Sequence, residues 1–285
     1  MFDHEFARNA LEAGSAIALA SGLLGYFVVL RGQVFAGDAL SHVAFTGALA
    51  GAVAGVDERI GLFAATVGVG VAIGALRLGS RADDTVIGVV FAWVLGVGLF
   101  FLTRLATGAG GSGVQAAHTL FGSIYGLSAG QAHFAAVVAL GVIVLILAGA
   151  RPLLFASLDP EVAGARGVPV RTLGVAFLAL VGVIAAEATQ AVGALLLLGL
   201  LAAPAGAAAR LTARPWLGLA LSAGFALAAM WAGLVASYQL ASVPASSAVI
   251  GAAVAIYVGA AIVATVGGGR WRRSPPIEVE TGSRP

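Results

Sequence analysis

Long apolar runs separated by short polar segments occupy most of the chain between residues 10 and 266. A helix needs about 20 mainly apolar residues to cross the hydrocarbon core of a bilayer. The pattern therefore predicts an all-α, polytopic integral membrane bundle of about eight to nine transmembrane helices. The candidate spans are 10–30, 34–56, 60–78, 86–103, 132–149, 172–187, 191–209, 216–235 and 246–266.

The segments between these runs complete the division of the chain. A tight polar turn at 187–190 is predicted between the sixth and seventh spans, and the glycine-rich segment 105–131 could hold a short re-entrant helix near 118–127. One transmembrane domain is predicted over 1–269. Residues 270–285 have the composition of a short, disordered cytoplasmic tail.

The arginines predict an orientation, because cytoplasmic loops of membrane proteins carry an excess of basic residues. If the N-terminus lies outside and the C-terminus in the cytoplasm, only Arg8, Arg59 and Arg104 fall outside. The reverse orientation would invert this ratio, so we expect N-out and C-in. The twelve arginines then inside are Arg31, Arg77, Arg81, Arg151, Arg166, Arg171, Arg210, Arg214, Arg270, Arg272, Arg273 and Arg284.

Composition supports membrane residence and excludes several kinds of chemistry. Hydrophobic residues make up 60% of the 285 and charged residues 10%, against about 25% charged in soluble domains. Absence of cysteine excludes disulfides and thiolate metal sites. Absence of lysine excludes a nucleotide-binding P-loop, so any ATP hydrolysis must occur in another chain. The net charge is only +2 and the arginines are spread over the predicted loops, so the charge gives no indication of nucleic-acid binding.

The second span carries two polar residues with a defined spacing, Asp38 and His42. Four residues apart, they share one helix face about one turn from each other, and Thr46 continues that face. Gly47, with Gly51 and Gly55 at the same interval, lies about 180° from Asp38. We therefore expect one side of this helix to pack closely on a neighbour. The Asp–His–Thr side should face something polar, such as a translocation path.

A carboxylate oxygen with an imidazole nitrogen is a ligand pair that suits zinc, manganese or iron(II). Two ligands do not complete a site, but a two-fold dimer would bring two copies together and supply four. The same spacing also fits a stabilising Asp–His pair, or polar residues at an irregular start of the helix. Spacing alone leaves both interpretations open.

Eight other polar residues lie at predicted loops, turns or helix starts, where polar side chains are expected without any function. For each of them we favour this structural explanation. They are Asp57, Glu58, Asp83, Asp84, His118, His133, Glu187 and Gln190.

The basic segment 151–171 contains the signals of a short helix outside the membrane. Asp159 is a good N-cap, Pro160 suits the first helical position, and Glu161 adds favourable negative charge. Gly167 can end the helix in a left-handed conformation, and Pro169 prevents its continuation. The segment could dock a partner; a well-capped surface turn is the alternative.

These segments and three others resemble the zinc/manganese permease family of ATP-binding-cassette (ABC) importers. The likeness covers roughly residues 10–266, with five motifs in the family's order and one departure, Leu158 where phenylalanine is common. The motifs are Gly37-Asp38-Ala39-Leu40-Ser41-His42, Asp84-Thr85-Val86-Ile87-Gly88, Leu120 to Ile124, Leu158-Asp159-Pro160-Glu161 through Gly167, and Val192-Gly193-Ala194-Leu195-Leu196 leading to Pro204-Ala205.

The resemblance implies a homodimeric, multi-pass permease in the plasma membrane, in contact with lipid and with no enzymatic activity of its own. It further implies cytoplasmic ATPase subunits that dock near 159–167 and an extracytoplasmic metal-binding protein. Asp38 and His42 match the family's metal ligands. The implied transported substrate is zinc or manganese, with no permanently bound cofactor; the sequence does not separate these from iron.

Three other functions fit the composition less well. A permease for a siderophore or corrinoid would need a wide cavity and no metal-ligand pair in a span. An ion-coupled secondary transporter would carry ionisable residues at mid-membrane in several spans, with repeated halves. A structural membrane protein would need no associated ATPase, so co-purification of an ATPase chain distinguishes it.

Overall fold

The computed structural model describes residues 4–76, 84–107, 122–191, 193–194, 197–240 and 243–268, and within these residues every regular element is a helix. The predicted all-α fold class is therefore confirmed. The elements are α1 Glu5–Leu30, α2 Val34–Ala54, α3 Glu58–Leu76, α4 Asp84–Thr107, a 3₁₀ helix Ile124–Gly126, α5 Ala129–Ala148, α6 Ala150–Leu158, α7 Pro160–Ala165, α8 Val170–Ala191, α9 Leu197–Leu211, α10 Pro215–Gln239 and α11 Ala245–Gly268.

Seven of these helices are long and apolar enough to cross a membrane: α1, α3, α4, α5, α8, α10 and α11. Two other predicted spans differ from this group. Helix α2 has 21 residues but carries Asp38 and His42, which lower its hydropathy. Helix α9 has only 15 residues and is about 22 Å long, shorter than the hydrocarbon core of about 30 Å. The span predicted at 191–209 is thus a short helix.

Helix α1 lies at the centre of the bundle, between α5, α9 and α10. Small residues allow its close contacts, as is usual between membrane helices. A Cβ atom on Gly22 would lie 2.7 Å from the Ala223 Cα of α10, and Gly25 leaves room for the Leu201 carbonyl of α9. The Ser222 hydroxyl donates to the Gly22 carbonyl at 2.6 Å. Helices α4 and α11 lie at the periphery and bury little of their surface.

Contacts between distant residues define the two ends of the bundle. At the end where α1 begins, called the Glu5 end, the Ser123 amide donates to the Gln190 carbonyl at 3.2 Å. At the Leu30 end, Arg31 donates to the Ser157 hydroxyl at 3.5 Å and its guanidinium lies 5.2 Å from the Phe177 ring centre. Which membrane side each end faces remains a prediction.

The prediction of a turn at 187–190 was wrong. Helix α8 continues to Ala191, and Glu187 within it is only 2% exposed. Alanines around Glu187 favour the helix, and the Thr189 hydroxyl is satisfied inside it by the Ala185 carbonyl at 2.6 Å. The backbone leaves the helix near Gly193, which has a positive φ of 95°, a conformation that suits glycine.

The segment 151–171 is not a simple loop. Its first half forms α6, which follows α5 after Gly149 and buries Leu153 and Leu154; its second half contains α7. Of the re-entrant helix predicted near 118–127, the described part is only the 3₁₀ helix Ile124–Gly126. The predictions for His118, Asp83 and the tail 270–285 lie outside the described residues.

Candidate functional site

The glycine face of α2 packs against α3, as predicted. A Cβ atom on Gly47 would lie 2.6 Å from both the Gly61 carbonyl oxygen and the Ala65 Cβ. In return, a Cβ atom on Gly61 would lie 3.0 Å from the backbone of Gly51. The two backbones therefore interlock, and neither helix has room for a larger residue at these positions. Gly55 plays a different part: it ends α2, and a Cβ there would meet open space.

The opposite face of α2 meets α4, so the expectation that all of it faces a polar path was wrong for Thr46. Its buried hydroxyl donates to the Val94 carbonyl at 3.2 Å. Gly98 makes room for it, since a Cβ there would lie 2.5 Å from the Thr46 Oγ1. One turn earlier along α2, the His42 ring meets the Phe91 ring edge-on, with centres 5.1 Å apart.

Asp38 lies between two packed directions. Viewed down the helix axis, His42 lies about 40° from Asp38 and faces α4. Gly37 lies about 100° from Asp38 in the opposite sense and faces Leu201 of α9. A Cβ atom on Gly37 would lie 2.7 Å from the Leu201 Cδ2. Asp38 is half-buried, and its carboxylate makes no hydrogen bond or ion pair with any described residue. A local side-chain bond runs from the Ser41 hydroxyl to the Asp38 backbone carbonyl, at 2.7 Å.

This geometry bears on the two interpretations left open by the spacing. Asp38 and His42 do not form an ion pair with each other, which removes the support for a stabilising Asp–His pair. Within the described residues, no group of three His, Cys, Asp or Glu side chains could hold a metal ion. The described residues therefore bring no third side chain of these types to Asp38 and His42.

Sequence reasoning missed Phe91 and Gly98, the α4 residues that support this face. Phe91 contacts His42 and Gly98 contacts Thr46, in each case across about fifty residues of sequence. No local sequence pattern predicts contacts of this kind. The Asp84 motif marked only the start of α4. Periodicity indicated that α2 has two faces, but the identity of their neighbours required the tertiary structure.

The short helix α7 forms as predicted. The Asp159 carboxylate accepts from the Val162 amide at 2.9 Å, with Pro160 at the first helical position. Gly167 has a φ of 82°, and the Val168 amide closes the end by donating to the Ala163 carbonyl at 3.0 Å. Leu158 and Val162 leave 61% and 45% of their surface exposed. A short helix capped at both ends is thus present at the Leu30 end, with an exposed apolar side chain on it and another just before it.

Two of the other polar residues, Asp57 and His133, make structural contacts. Asp57 lies in the short turn before α3, where its carboxylate accepts from the Arg59 amide at 2.8 Å. His133, largely exposed, lies 3.2 Å from the Glu12 carboxylate. Asp84 begins α4.

Comparisons with known proteins give one consistent result. A family model described as "ABC 3 transport family" matches residues 3–264. The manganese transport system membrane protein MntC of Halalkalibacterium halodurans is 31% identical over 245 residues, which cover 85% of this chain and 82% of the relative. The chelated iron transport system membrane protein YfeD of Yersinia pestis is 29% identical, over 71% of this chain and 67% of the relative.

A solved structure is also similar. The structure titled "PsaBC from Streptococcus pneumoniae in complex with Fab" superposes with a TM-score of 0.78 at 26% identity, over 90% of this chain and 91% of that one. The likeness therefore extends over nearly the whole membrane bundle.

Proposed function

Because the chain belongs to the ABC 3 transport family, we propose that it is the membrane permease subunit of an importer that moves a divalent transition metal ion into the cytoplasm. Manganese is the first candidate, since the relative MntC is named for manganese transport; zinc shares the same ligand preferences. ATP hydrolysis would occur in a separate subunit. The multi-pass chain would reside in the plasma membrane.

Asp38 and His42 are the proposed ligands of the transported ion. The observation that carries this proposal is the half-buried Asp38 carboxylate, one turn from His42, which no described residue pairs, in a span where an unpaired charge is costly. Such residues usually face a partner or a water-filled path. In a homodimer, two copies would supply four N/O ligands, and two aspartates would balance the charge of a divalent cation.

Helix α7 with its exposed Val162, together with the exposed Leu158 at the end of α6, is the proposed docking site for the ATPase subunit. A helix fixed at both ends moves as a unit, so closure of the ATPase would be transmitted to α6 and α8. With N-out and C-in, the Leu30 end lies in the cytoplasm, as this docking requires. An extracytoplasmic metal-binding protein would then dock at the Glu5 end.

Chelated iron is the second candidate cargo, because the relative YfeD is named for its transport. A chelate surrounds its own metal and needs no ligand from a span. Loss of uptake on removal of Asp38 and His42 would therefore favour the free ion, and unchanged uptake of a chelate would favour the alternative.

The experiment is elemental analysis of cells that depend on this permease and its partner subunits for manganese. We expect the double substitution Asp38→Ala and His42→Ala to reduce manganese accumulation to the level of cells without the permease, with normal amounts of protein in the membrane. His133→Ala, which removes an exposed histidine at the Glu5 end, is the matched control and should leave uptake unchanged. Wild-type uptake by the double variant would refute the site.

A further inference from the structure

A cavity of about 900 Å³ opens at the Glu5 end of the bundle, between α2, α3, α5, α8 and the 3₁₀ helix. It is separate from the Asp38–His42 face. Apolar residues of α2 and α3 form part of its wall. Six lining residues have polar side chains: Asp57, Glu58, Arg59, Ser123, Gln131 and Gln190.

Glu187 lies one helical turn deeper in the bundle than Gln190, which lines this cavity. It is 2% exposed, and its Oε1 has no hydrogen-bond partner among the described residues. Arg59, in the cavity wall, lies within electrostatic range of the Glu187 carboxylate. Ala186 beside it shares an apolar cluster with two cavity-lining residues, Ala48 and Leu62.

A buried polar atom in a protein is nearly always satisfied, and a carboxylate inside a membrane span usually marks a path for ions. The packing of α8 does not require a carboxylate at Glu187, because Ala191, one turn later on the same face, is buried without a polar side-chain atom. Gln190 lines the cavity, so space for a ligand and its water lies within one helical turn of Glu187.

We propose that Glu187 and Gln190 form a second cation site in each chain, which takes a divalent cation that keeps part of its water shell. Carboxylate and amide oxygens are ligands for hard cations such as Mn²⁺, and such ions often bind through one or two carboxylates with water completing the shell. The cavity is large enough to hold that water. The proposal rests on the proposed function only for the identity of the cation.

The other polar groups of the cavity have different parts. The Gln131 side-chain oxygen already accepts from the Ser128 amide at 2.9 Å in the cap of α5, so it is not counted as a ligand. Asp57 and Glu58 place two acidic groups at the rim, which attract cations from solution. Arg59 opposes them, and it would weaken the site unless its guanidinium moves away.

An apolar cluster separates this site from the Asp38–His42 face. Phe45 and Leu49 of α2 are buried with Ala194, against Phe101 and Leu102 of α4. Phe45 lies along α2 between His42 and Ala48, which lines the cavity. The proposed site is therefore a separate position for an ion, distinct from the first in ligands and in location.

The test is a Mn²⁺ titration of the purified permease–ATPase complex in lipid nanodiscs, with free Mn²⁺ measured by electron paramagnetic resonance. The wild type should bind one ion per chain in addition to the ion held by Asp38 and His42. Glu187→Gln keeps the shape of the side chain and should weaken the per-chain ion by at least about tenfold, with the other ion retained. Glu12→Gln, the same change on α1 at the same end, is the matched control and should alter neither.

Two further variants separate this proposal from the proposed function. Asp38→Ala with His42→Ala should remove only the other ion, so failure of either site leaves the other one visible. Arg59→Gln should tighten the per-chain ion severalfold, because it removes a nearby positive charge. A per-chain ion that is absent from the wild type, or unaffected by Glu187→Gln, would overturn the proposal.

Discussion

The two sides of α2 are built in different ways. On one side, Gly47 and Gly61 bring the backbones of α2 and α3 together until no side chain fits between them. On the other, Thr46 and His42 make single contacts with α4, and the Asp38 carboxylate is left unpaired by the described residues. The first side fixes where the helix lies, which frees the second to carry groups that packing does not require.

The largest effect is expected on the glycine side. Gly61→Leu should prevent stable folding of the permease, because the new side chain would enter the backbone of α2; overpacking of this kind costs about 1–3 kcal/mol or more. Gly68→Leu is the matched control on the same helix, since a Cβ there meets open space. Thermal unfolding and membrane abundance would measure the difference, and equal stability of the two variants would contradict the interlock.

A smaller effect is expected where α2 meets α4. Gly98→Ala should displace the Thr46 hydroxyl from the Val94 carbonyl and cost about 1 kcal/mol, with a partial loss of uptake as α4 shifts. Gly96→Ala, two residues earlier with open space around its Cβ, should be neutral or slightly stabilising. If Gly98→Ala and Gly96→Ala unfold at the same temperature and support the same uptake, the Thr46–Val94 hydrogen bond does not contribute to stability or transport.

The smallest effect on folding is expected at Phe91. Phe91→Leu removes the ring that lies edge-on to His42, a contact worth about 0.5–1.5 kcal/mol. We expect a modest loss of stability but weaker manganese uptake at limiting metal, because His42 loses its positioning neighbour. Trp93→Leu, on an exposed part of α4, is the control. A Phe91 variant with wild-type uptake at every manganese concentration would show that the ring only fills space.

Local features of this fold could be predicted from the sequence. The caps of α7 were predicted at both ends because Asp159, Pro160 and Gly167 act within a few residues of one another. The glycine face of α2 was also correct, since a helical period determines which residues share a side. The spacing further gave Asp38 and His42 as neighbours, although their role as metal ligands stays a prediction.

Features that depend on distant neighbours could not be predicted. Thr46 shares a face with Asp38, and only the approach of α4 decides that its hydroxyl is satisfied there. Glu187 was placed in a turn because polar residues usually mark turns, whereas its burial depends on the surrounding helices. The length of α9 could not be predicted either, because hydropathy alone does not show where an apolar run stops being helical.

The interlock between α2 and α3 also has a mechanical consequence. At the Leu30 end, Arg171 donates to the Ala75 carbonyl at the end of α3, at 3.2 Å. Arg171 is only four residues after Gly167, which ends α7. A force applied to α7 would thus reach α3, and α2 would have to follow because it cannot slip past Gly61. Helices α2 and α3 would then tilt together as one rigid body. Asp38 and His42 should therefore change their accessibility through this tilt, and not through rotation of α2 about its own axis. A small molecule bound between α2 and α4, where single side-chain contacts join the two helices, would hinder that tilt.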